Sequence, residues 1–547
     1  MKLAFLAFLS IVGTVMAQQA DLIVTNARIW TVDPAKPEAR ALAVRDGRIV
    51  SVGTEAEIFA LAGPGTKKID AHNKRLLPGF IDDHTHFMQG AFQIRSIDLR
   101  DAADEQEFAR RIADRAARFP DRWITGGDWD HDRWPGGRLP TKELIDAQTL
   151  STPVFVSRYD GHMALANSVV LKRAGITRES PDPPGGEIVR DPKTGEPTGV
   201  LKDEAMTSVY ALIPDPSEPE RLEAAKSALA EARRFGVTSI QDVAWAGDVR
   251  TYQTLRDSGA LTCRFHCRIP ISQWQSLADV GIHVPFGDEW VRVGSLKGFA
   301  DGSLGSSTAL FFDPYVSEST RGLATDVVMD GRLERWATGA DRAGLQLSIH
   351  AIGDSANSRV LDIFERIVAA NPSWDRRFRI EHAQHIRPSD FARFARLGVI
   401  ASAQPYHAID DGRWAEKRIG HDRCATIYAF RTFLDSGVRL CFGSDWTVAP
   451  LNPLLGIYAA VTRRTVDGAN PGGWFPEQKI TVREAIACYT INNAFAAFEE
   501  HEKGSITAGK LADFVLLSDD ILSIPPEAIE STQVDLTVVG GRIVFAR

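Results

Sequence analysis

Cysteine is scarce in this chain, with five residues among 547. The odd number leaves at least one thiol outside any disulfide. Cys263 and Cys267 lie four residues apart in a strand-like segment, TCRFHCRI. Four strand steps cover about 13 Å, which exceeds the limit of roughly 7 Å between the Cα atoms of a disulfide. We therefore predict that the cysteines are buried small hydrophobic residues without a chemical role.

Blocks of basic residues, low-complexity tracts and internal repeats are also missing from the sequence. Lys and Arg number 63 against 71 Asp and Glu, which gives a formal net charge of -8. This balance argues against nucleic acid as a partner. With 44% hydrophobic and 24% charged residues, the composition is that of an ordinary globular protein. We predict a small-molecule substrate. The sequence is also compatible with a homo-oligomer.

A separate apolar segment marks the N-terminus. Lys2 precedes an apolar stretch from Leu3 to Met16, and Val15-Met16-Ala17 offers small residues at the positions that determine cleavage. This pattern predicts a signal peptide over residues 1–17 and export to the periplasm or the outside of the cell. The stretch is shorter than the roughly 20 residues that a transmembrane helix needs, so no stable membrane span is expected after cleavage. An uncleaved N-terminal anchor is the alternative.

Alternating apolar and polar residues indicate β structure at both ends of the remaining chain. The segments near the start are DLIVTNARIWTVD and ALAVRDGRIVSVG, and those near the end are ADFVLLSDD and LTVVGGRIVFAR. Such alternation around turn-forming residues is typical of β-hairpins. We predict that residues 18–76 and 498–547 combine into one β domain, with residues 77–497 inserted between them.

Eight apolar runs of strand length alternate with helix-patterned segments in the inserted body. The runs are RLLPGFID, GVTSIQDV, CRFHCRI, GSLKGFAD, LQLSIHA, FRIEHA, GVIASAQP and VRLCFGSD. This pattern predicts an α/β fold, a TIM-type (β/α)8 barrel with its active groups at the carboxyl ends of the strands. The first two runs are far apart and enclose further helix and strand patterns, so we predict a folded, lid-like insertion at residues 88–233.

Side chains that bind metals follow these runs. His84 and His86 are two residues apart on a strand and therefore share a face. His350, His382 and Asp445 each end a later run. One such residue alone is more often structural, but the ordered set predicts a site for one or two divalent cations at the barrel mouth. Imidazole and carboxylate donors favour zinc, with manganese, iron or cobalt as alternatives.

Two residues of this set allow different interpretations. Lys297 lies in the run GSLKGFAD, where a buried ammonium group is costly without a partner. Either it pairs with a carboxylate such as Asp301, or its neutral amine reacts with carbon dioxide to form a carbamate that bridges two cations. Asp445 is either a turn residue or a metal ligand that also accepts the proton of the attacking water.

The motifs PGFIDDHTH, DGHMALANS, GFADGSLGSSTA, HAIGD, RIEHAQ, GSDWTV and YTINNAFA resemble those of the amidohydrolase superfamily. The resemblance is closer to its amidohydrolase-3 branch, the YtcJ-like and N-substituted formamide deformylase-like proteins. It covers nearly all of the chain after the predicted signal. It implies a (β/α)8 barrel with a composite β-sandwich, and a mono- or binuclear metal centre that hydrolyses C–N bonds. The positions that match its metal ligands, including the lysine carboxylated in binuclear members, are His84, His86, Lys297, His350, His382 and Asp445.

Several further residues are predicted to contact the substrate. Asp160 and His162 belong to a DGH motif in the insertion, and His162 would donate a hydrogen bond to the developing oxyanion. A structural turn is the alternative of equal weight. Trp129 would line an apolar pocket, although tryptophans more often pack in a core. Asp301 and Gln404 would orient the leaving group.

The favoured function is hydrolysis of a non-peptide C–N bond in a small molecule. Metal-bound hydroxide would attack the carbonyl carbon, and Asp445 would carry the proton to the departing nitrogen. An aminohydrolase, lactonase or esterase with the same metal centre is the alternative. A non-catalytic binding protein is a third interpretation, but such a protein is expected to have lost ligands, and here all six positions are occupied.

Overall fold

The computed structural model describes residues 19–159, 161, 163–183, 186–305, 307–316 and 319–547. The predicted signal peptide lies outside these residues. Within them, no helix has the length and apolarity that a bilayer crossing requires. All five cysteines are free and buried, as predicted.

Short strands form the N-terminal part of the fold. They are Leu22–Thr25 (β1), Arg28–Trp30 (β2), Glu38–Ala39 (β3), Ala41–Arg45 (β4), Arg48–Gly53 (β5), Lys67–Asp70 (β6) and Arg75–Pro78 (β7), with one helix, Glu55–Phe59 (α1). Strands β4 and β5 form a hairpin through Asp46 and Gly47, whose positive φ angles of 51° and 74° suit the tight turn of an Asp-Gly hairpin.

The first barrel strand is followed by a folded insertion. Barrel strand Phe80–Thr85 (β8) and helix Phe87–Arg95 (α2) precede it, and helix Glu218–Arg234 (α7) follows it. The strands of the insertion are Ile97–Asp98 (β9), Ile124–Trp129 (β10), Val154–Arg158 (β11), Met163–Ala166 (β12), Gly186–Arg190 (β13) and Pro197–Asp203 (β14). Its helices are Glu105–Arg118 (α3), Glu143–Asp146 (α4), Ser168–Arg173 (α5) and Thr207–Tyr210 (α6).

The insertion has its own sheet and its own apolar core. The sheet order is β13-β14-β12-β11-β10-β9, and Phe108, Trp134 and Ile145 are among the side chains buried against it. Helices α2 and α7, at the two ends of the predicted insertion, instead share a core cluster with barrel residues such as Val237 and Phe265. They therefore belong to the outer layer of the barrel.

The remaining strands and helices complete the barrel. The strands are Val237–Val243 (β15), Arg264–Pro270 (β16), Phe286–Gly287 (β17), Val291–Phe299 (β18), Leu347–Ala351 (β19), Arg379–His382 (β20), Ile400–Ala403 (β21) and Leu440–Phe442 (β22). The helices are Asp248–Asp257 (α8), Trp274–Asp279 (α9), Asp326–Met329 (α10), Arg332–Arg342 (α11), Asp354–Ala370 (α12), Phe391–Leu397 (α13), Pro405–Asp411 (α14), Ala415–Ile419 (α15), His421–Cys424 (α16), Phe430–Asp435 (α17), Pro453–Thr462 (α18), Val482–Cys488 (α19) and Ile491–Ala496 (α20).

Parallel strands pair in the order β8-β15-β16-β18-β19-β20-β21-β22. Each of the eight predicted runs overlaps one of these strands, so the predicted (β/α)8 barrel is confirmed. Consecutive parallel strands need a crossover, which explains the helices between them. Strand β17 pairs with β18 in the antiparallel direction and lies off this path.

The barrel closes where β8 meets the segment after β22. The Asp445 N–H donates to the His84 carbonyl at 2.7 Å, and the His86 N–H donates to the Trp446 carbonyl at 2.8 Å. Asn493, on α20, donates its side-chain amide to the carbonyls of Ile81 and Phe442 at 2.6 and 2.8 Å. The YTINNAFA motif thus contributes an amide that joins the first and last barrel strands.

Strands from both chain ends form the remaining sheet. Phe514–Leu517 (β23), Val534–Val539 (β24) and Arg542–Ala546 (β25) extend the order β25-β24-β23-β7-β2-β3, next to a second sheet of order β5-β4-β1-β6. Apolar side chains of the two sheets share one core. The run RLLPGFID was expected to be one barrel strand, but it divides at Gly79 between β7 of this sheet and β8 of the barrel. A Cβ atom at Gly79 would lie 2.2 Å from Thr238 Oγ1, so a side chain does not fit at the division.

Candidate metal centre

The predicted metal ligands lie at the carboxyl ends of the barrel strands. His84 and His86 end β8 or follow it, Lys297 lies near the end of β18, and His350 and His382 lie at the ends of β19 and β20. Asp445 follows β22 by three residues. Because the barrel strands are parallel, all these positions face the same mouth, which is where TIM barrels place their active groups.

Three of these side chains converge on a common point. The Nε2 atoms of His84 and His86 lie 3.7 and 3.5 Å from Asp445 Oδ1, and the three ligand atoms are all within 4.8 Å of one another. Asp445 Oδ1 is buried and accepts no hydrogen bond within the described part of the chain. A carboxylate oxygen that faces two imidazole nitrogens in this way fits a shared divalent cation.

Two more histidines complete the cluster. The ring centroids of His382 and His84 are 4.9 Å apart, and those of His382 and His350 are 4.4 Å apart. His382 Nδ1 is 3.9 Å from Asp445 Oδ2. The cluster thus offers imidazole and carboxylate donors from four different strands, which is the donor chemistry that zinc and related ions bind.

Two backbone positions of the site have unusual conformations. His382 and Asp445 have φ angles of 69° and 54°, in the left-handed region that non-glycine residues seldom adopt. Such positions cost about 1–3 kcal/mol each and persist where the surrounding structure imposes them. The turn at His382 lets its ring lie at the mouth, although the preceding residue, Glu381, points into the barrel lumen.

Burial keeps His84, His86 and His382 in their neutral form. It lowers the pKa of His86 to about 3, with further lowering by the charge of Lys297. Burial also lowers the pKa of His84 and of His382 well below the ordinary value. Neutral imidazole nitrogens retain the lone pair that a metal ion requires.

Lys297 and Asp445 are shifted in opposite directions by the same cause. Burial lowers the pKa of Lys297 to about 7 and raises the pKa of Asp445 to about 7. Lys297 Nζ lies 3.1 Å from His84 Nε2. No ion pair joins Lys297 and Asp301 in the described part of the chain, and the Asp301 oxygens accept backbone N–H groups of the loops instead.

Asp301 connects two loops at the barrel mouth. Its carboxylate accepts N–H groups of Leu310 at 2.8 Å, Ile352 at 3.0 Å and Gly353 at 2.8 Å. His350 Nε2 is 3.5 Å from its Oδ1 atom. These contacts place Asp301 beside the cluster. Its predicted part in orienting a leaving group stays a prediction.

Gln404 lies directly against a metal-site histidine. Its Oε1 atom is 2.8 Å from His382 Nδ1, which fits donation from Nδ1–H to the amide oxygen. Gln404 Nε2 is buried and has no hydrogen-bond partner among the described residues, and the same holds for Nε2 of His407, three residues further on. The first turn of α14 therefore presents two unused polar groups close to His382.

Trp129 is not part of the barrel mouth. Its side chain is fully buried in the core of the insertion with Phe108 and Trp134, and its Nε1 donates to the Val156 carbonyl at 2.8 Å. The prediction that it lines a substrate pocket is wrong, because an enclosed indole leaves no surface for a ligand. Asp160 and His162 lie outside the described residues, and their roles stay predictions.

Sequence reasoning missed a group of buried charges beneath the metal ligands. Glu381, Arg268 and Arg379 are fully buried in the barrel lumen, and Glu381 contacts both arginines and His84. Burial opposes ionisation of Glu381, but the two arginines outweigh it and hold its pKa well below the ordinary value. The signal in the sequence is the charged residues inside otherwise apolar runs, in CRFHCRI and FRIEHA. His407 was also missed, since a helical histidine has no distinctive pattern.

Comparison with known proteins shows which family the chain belongs to. The sequence profile of the amidohydrolase-3 group, described as "Amidohydrolase family", matches residues 67–545. The chain is 38% identical over 540 residues to Protein LONG AFTER FAR-RED 3 of Arabidopsis thaliana, with 96% of this chain and 92% of that protein covered. It is 29% identical over 558 residues to the N-substituted formamide deformylase of Arthrobacter pascens, with 97% and 99% covered.

A solved structure is similar to this chain in both sequence and fold. It is that of an uncharacterized metal-dependent hydrolase from Pyrococcus horikoshii OT3, with a TM-score of 0.77 and 26% identity. The similarity covers 92% of this chain and 99% of that one. The chain therefore belongs to the amidohydrolase family, and its similarity to this structure supports a metal-dependent hydrolase.

Proposed function

We propose that the protein hydrolyses a non-peptide C–N bond in a small molecule, such as an amide, formamide, carbamate or cyclic amide. The observation that carries this proposal is the position of Asp445, a buried carboxylate whose Oδ1 faces two imidazole nitrogens and has no hydrogen-bond partner within the described residues. A relative that aligns over almost the whole chain is named an N-substituted formamide deformylase, which supports the choice of bond.

The donor atoms of the site determine which metal ion it would bind. His84, His86, His382 and Asp445 would hold a divalent ion, and zinc suits these donors best. When bound, the ion polarises a carbonyl and lowers the pKa of a coordinated water. Lys297 decides between one ion and two, because an unmodified amine supports a single ion and a carbamate on the same nitrogen supports a pair.

Asp445 performs the proton transfers in this proposal. The water that attacks the carbonyl carbon gives its proton to the Asp445 carboxylate, which then delivers it to the departing nitrogen. General acid–base groups work best with a pKa near the working pH. Burial raises the pKa of Asp445 to about 7 in the metal-free protein, and a bound cation would lower it from there. Nitrogen leaving groups require this protonation because an amide anion is a poor leaving group.

Hydrogen-bond donors near the cluster would bind the substrate carbonyl oxygen. Nε2 of Gln404 is a buried donor that has no partner among the described residues, and His407 lies one helical turn further along α14. Gln404 is the N-cap of this helix, so both side chains lie at its N-terminal end. His162, predicted from the DGH motif, is a further donor in this proposal.

A substrate panel tests the proposed bond. We expect purified, zinc-loaded protein to hydrolyse at least one N-substituted formamide, amide, carbamate or cyclic amide faster than matched esters, lactones and aminated heterocycles. The Asp445→Asn variant should lose about 10²–10⁴-fold in turnover, the usual share of general acid–base catalysis. Asp411→Asn is the control, since the pKa of this half-buried carboxyl is also raised to about 7 by burial, but it binds Tyr428 and Gln384.

The same assay separates the alternatives. Turnover confined to esters or aminated heterocycles would replace the C–N proposal with a lactonase, esterase or aminohydrolase. Less than one equivalent of transition metal in protein purified from zinc-supplemented cells, together with no turnover, would favour a non-catalytic binding protein. Full activity in the Asp445→Asn variant would contradict the assignment of the proton carrier.

A further inference from the structure

Glu381 lies directly beneath the metal ligands, on the strand that also carries His382. It is fully buried, and its Oε2 atom contacts Nδ1 of His84. The two residues are 297 positions apart in the chain. A carboxylate at the remote nitrogen of a metal-binding imidazole is the arrangement that fixes the orientation and tautomer of histidine ligands in many metal sites.

Both carboxylate oxygens of Glu381 accept hydrogen bonds from neighbouring side chains. Oε2 accepts from Arg268 Nη1 at 2.7 Å and from Ser402 Oγ at 2.7 Å. Oε1 accepts from Arg379 Nε at 2.9 Å and from Ser348 Oγ at 2.5 Å. With two guanidinium groups around it, the side chain is a carboxylate, which can only accept hydrogen bonds. Arg268 Nη1 also lies 3.2 Å from His84 Nδ1, but its shorter contact is with Oε2. Because a carboxylate oxygen and an imidazole lone pair cannot form a close contact without a hydrogen between them, the proton between Glu381 and His84 belongs to His84 Nδ1.

This proton position determines which nitrogen of His84 is available. With hydrogen on Nδ1, the lone pair of neutral His84 is on Nε2, the atom that faces Asp445 at 3.7 Å and Lys297 at 3.1 Å. Arg379 is held in turn by Asp83, through a 2.8 Å ion pair between Nη2 and Oδ1. The carboxylate is therefore fixed from both sides and cannot rotate away from the imidazole.

We propose that Glu381 is a positioning residue for the metal centre, which locks His84 in the Nδ1–H tautomer and directs its Nε2 lone pair at the cation. The inference rests on the metal site of the proposed function. It also distinguishes the histidines of that site. His382 has a neutral amide acceptor on Nδ1, from Gln404, whereas His84 has an anionic one. A charged acceptor makes His84 the stronger electron donor to a bound ion.

The test compares Glu381→Gln with the control Ser348→Ala. A Gln side chain has one oxygen and one amide nitrogen, so it cannot accept from His84 and from Arg379 at the same time. Ser348→Ala removes a donor to the same carboxylate but leaves its contact with His84 and its charge intact. We expect zinc affinity, measured by competition with a chelator, to fall about 10–100-fold in Glu381→Gln, with a much smaller change in Ser348→Ala.

A second readout needs no metal and no substrate. In metal-free protein with 15N-labelled histidine, His84, assigned from a His84→Gln spectrum, should show a single Nδ1–H tautomer in the wild type. It should show a mixture of tautomers in Glu381→Gln. If Glu381→Gln does not fold because two arginines lose their counter-charge, the Arg268→Gln/Glu381→Gln double variant removes one charge of each sign and is expected to show the same loss.

Unchanged zinc affinity in a folded variant without the Glu381 carboxylate would overturn the proposal. A single Nδ1–H tautomer of His84 in that variant would do the same. Both measurements are made without turnover. A protein whose zinc affinity depends on Glu381 but that cleaves no C–N bond would therefore refute the proposed function and leave this inference standing.

Discussion

At the scale of single residues, burial sets the protonation of side chains that are proposed to bind the metal. His86 has a pKa lowered to about 3, so it is neutral throughout the physiological range. Lys297 and Asp445 instead have pKa values near 7 in the metal-free protein. Below about pH 7 each of them holds a proton, and that proton must leave before the group can donate to a cation.

We therefore expect zinc binding to weaken as the pH falls. Between about pH 7 and about pH 5.5 the affinity should drop by roughly tenfold per pH unit for each proton that the metal displaces. His84, His86 and His382 should contribute nothing to this slope, because burial already keeps them neutral. Chelator competition at a series of pH values measures the slope.

Asp445→Asn is the matched variant for this pH series. It removes one titrating ligand, so the dependence of zinc affinity on pH should decrease by the contribution of one displaced proton. A slope equal to that of the wild type would show that Asp445 carries no proton in the metal-free protein near neutral pH. A zinc affinity that does not depend on pH would contradict both the raised pKa of Asp445 and the lowered pKa of Lys297.

The closure of the barrel is decided at the scale of the element, where β8 lies beside the segment after β22. Asp82 Oδ1 accepts the N–H groups of His84 and Ser444 at 3.1 and 3.0 Å. Gly443 lies in the same contact, and a Cβ atom added there would be 2.4 Å from the His84 nitrogen. The close approach of the two segments brings the HxH pair to Asp445.

We expect Gly443→Ala to separate these segments. The added methyl group has no space, and overpacking of this kind typically costs about 1–3 kcal/mol. Zinc affinity should fall as well, because the HxH pair and Asp445 move apart. Urea unfolding and chelator competition measure the two effects.

Gly472→Ala is the control for this substitution. Nothing lies within 4 Å of a Cβ atom at Gly472, so its effect on the free energy of unfolding should stay within about 0.5 kcal/mol. If both variants behaved alike, the close contact at Gly443 would have no part in holding the site together.

A bound cation would also connect distant parts of the whole molecule. Its predicted ligands include His84 in the first barrel strand and Asp445 after the last, 361 positions apart by their numbering. A ligand that binds the folded state alone stabilises it by mass action. The metal should therefore stabilise the closed barrel as a unit, in addition to any role in chemistry.

Removing the metal should lower the thermal stability of the protein. At a free zinc concentration of about 1,000 times the dissociation constant, the expected stabilisation is about 4 kcal/mol. The unfolding midpoint should rise with zinc concentration and fall on addition of a chelator. In His84→Asn most of this dependence should disappear. A wild-type midpoint that is the same with and without chelator would argue against a structural contribution from the ion.

The sequence by itself determined the strands, their order and the ends at which the ligands stand. Apolar runs of strand length indicate strands that are buried on both faces. Because the strands of such a barrel are parallel, the carboxyl end of every run lies at the same mouth. His84, His86, His350, His382 and Asp445 could therefore be found from local pattern and from the resemblance to a family. The division of RLLPGFID at Gly79 could not, because it depends on the space left by Thr238.

Only the tertiary structure decided what each buried group touches. Lys297 faces His84 and not Asp301, Trp129 packs in the core of the insertion, and Glu381 reaches His84 across the lumen. These partners are separated by long stretches of chain, and no local periodicity encodes their distance. The physical reason is that strand formation depends on neighbouring residues, whereas the pairing of charges in a closed barrel depends on how all its strands share one interior.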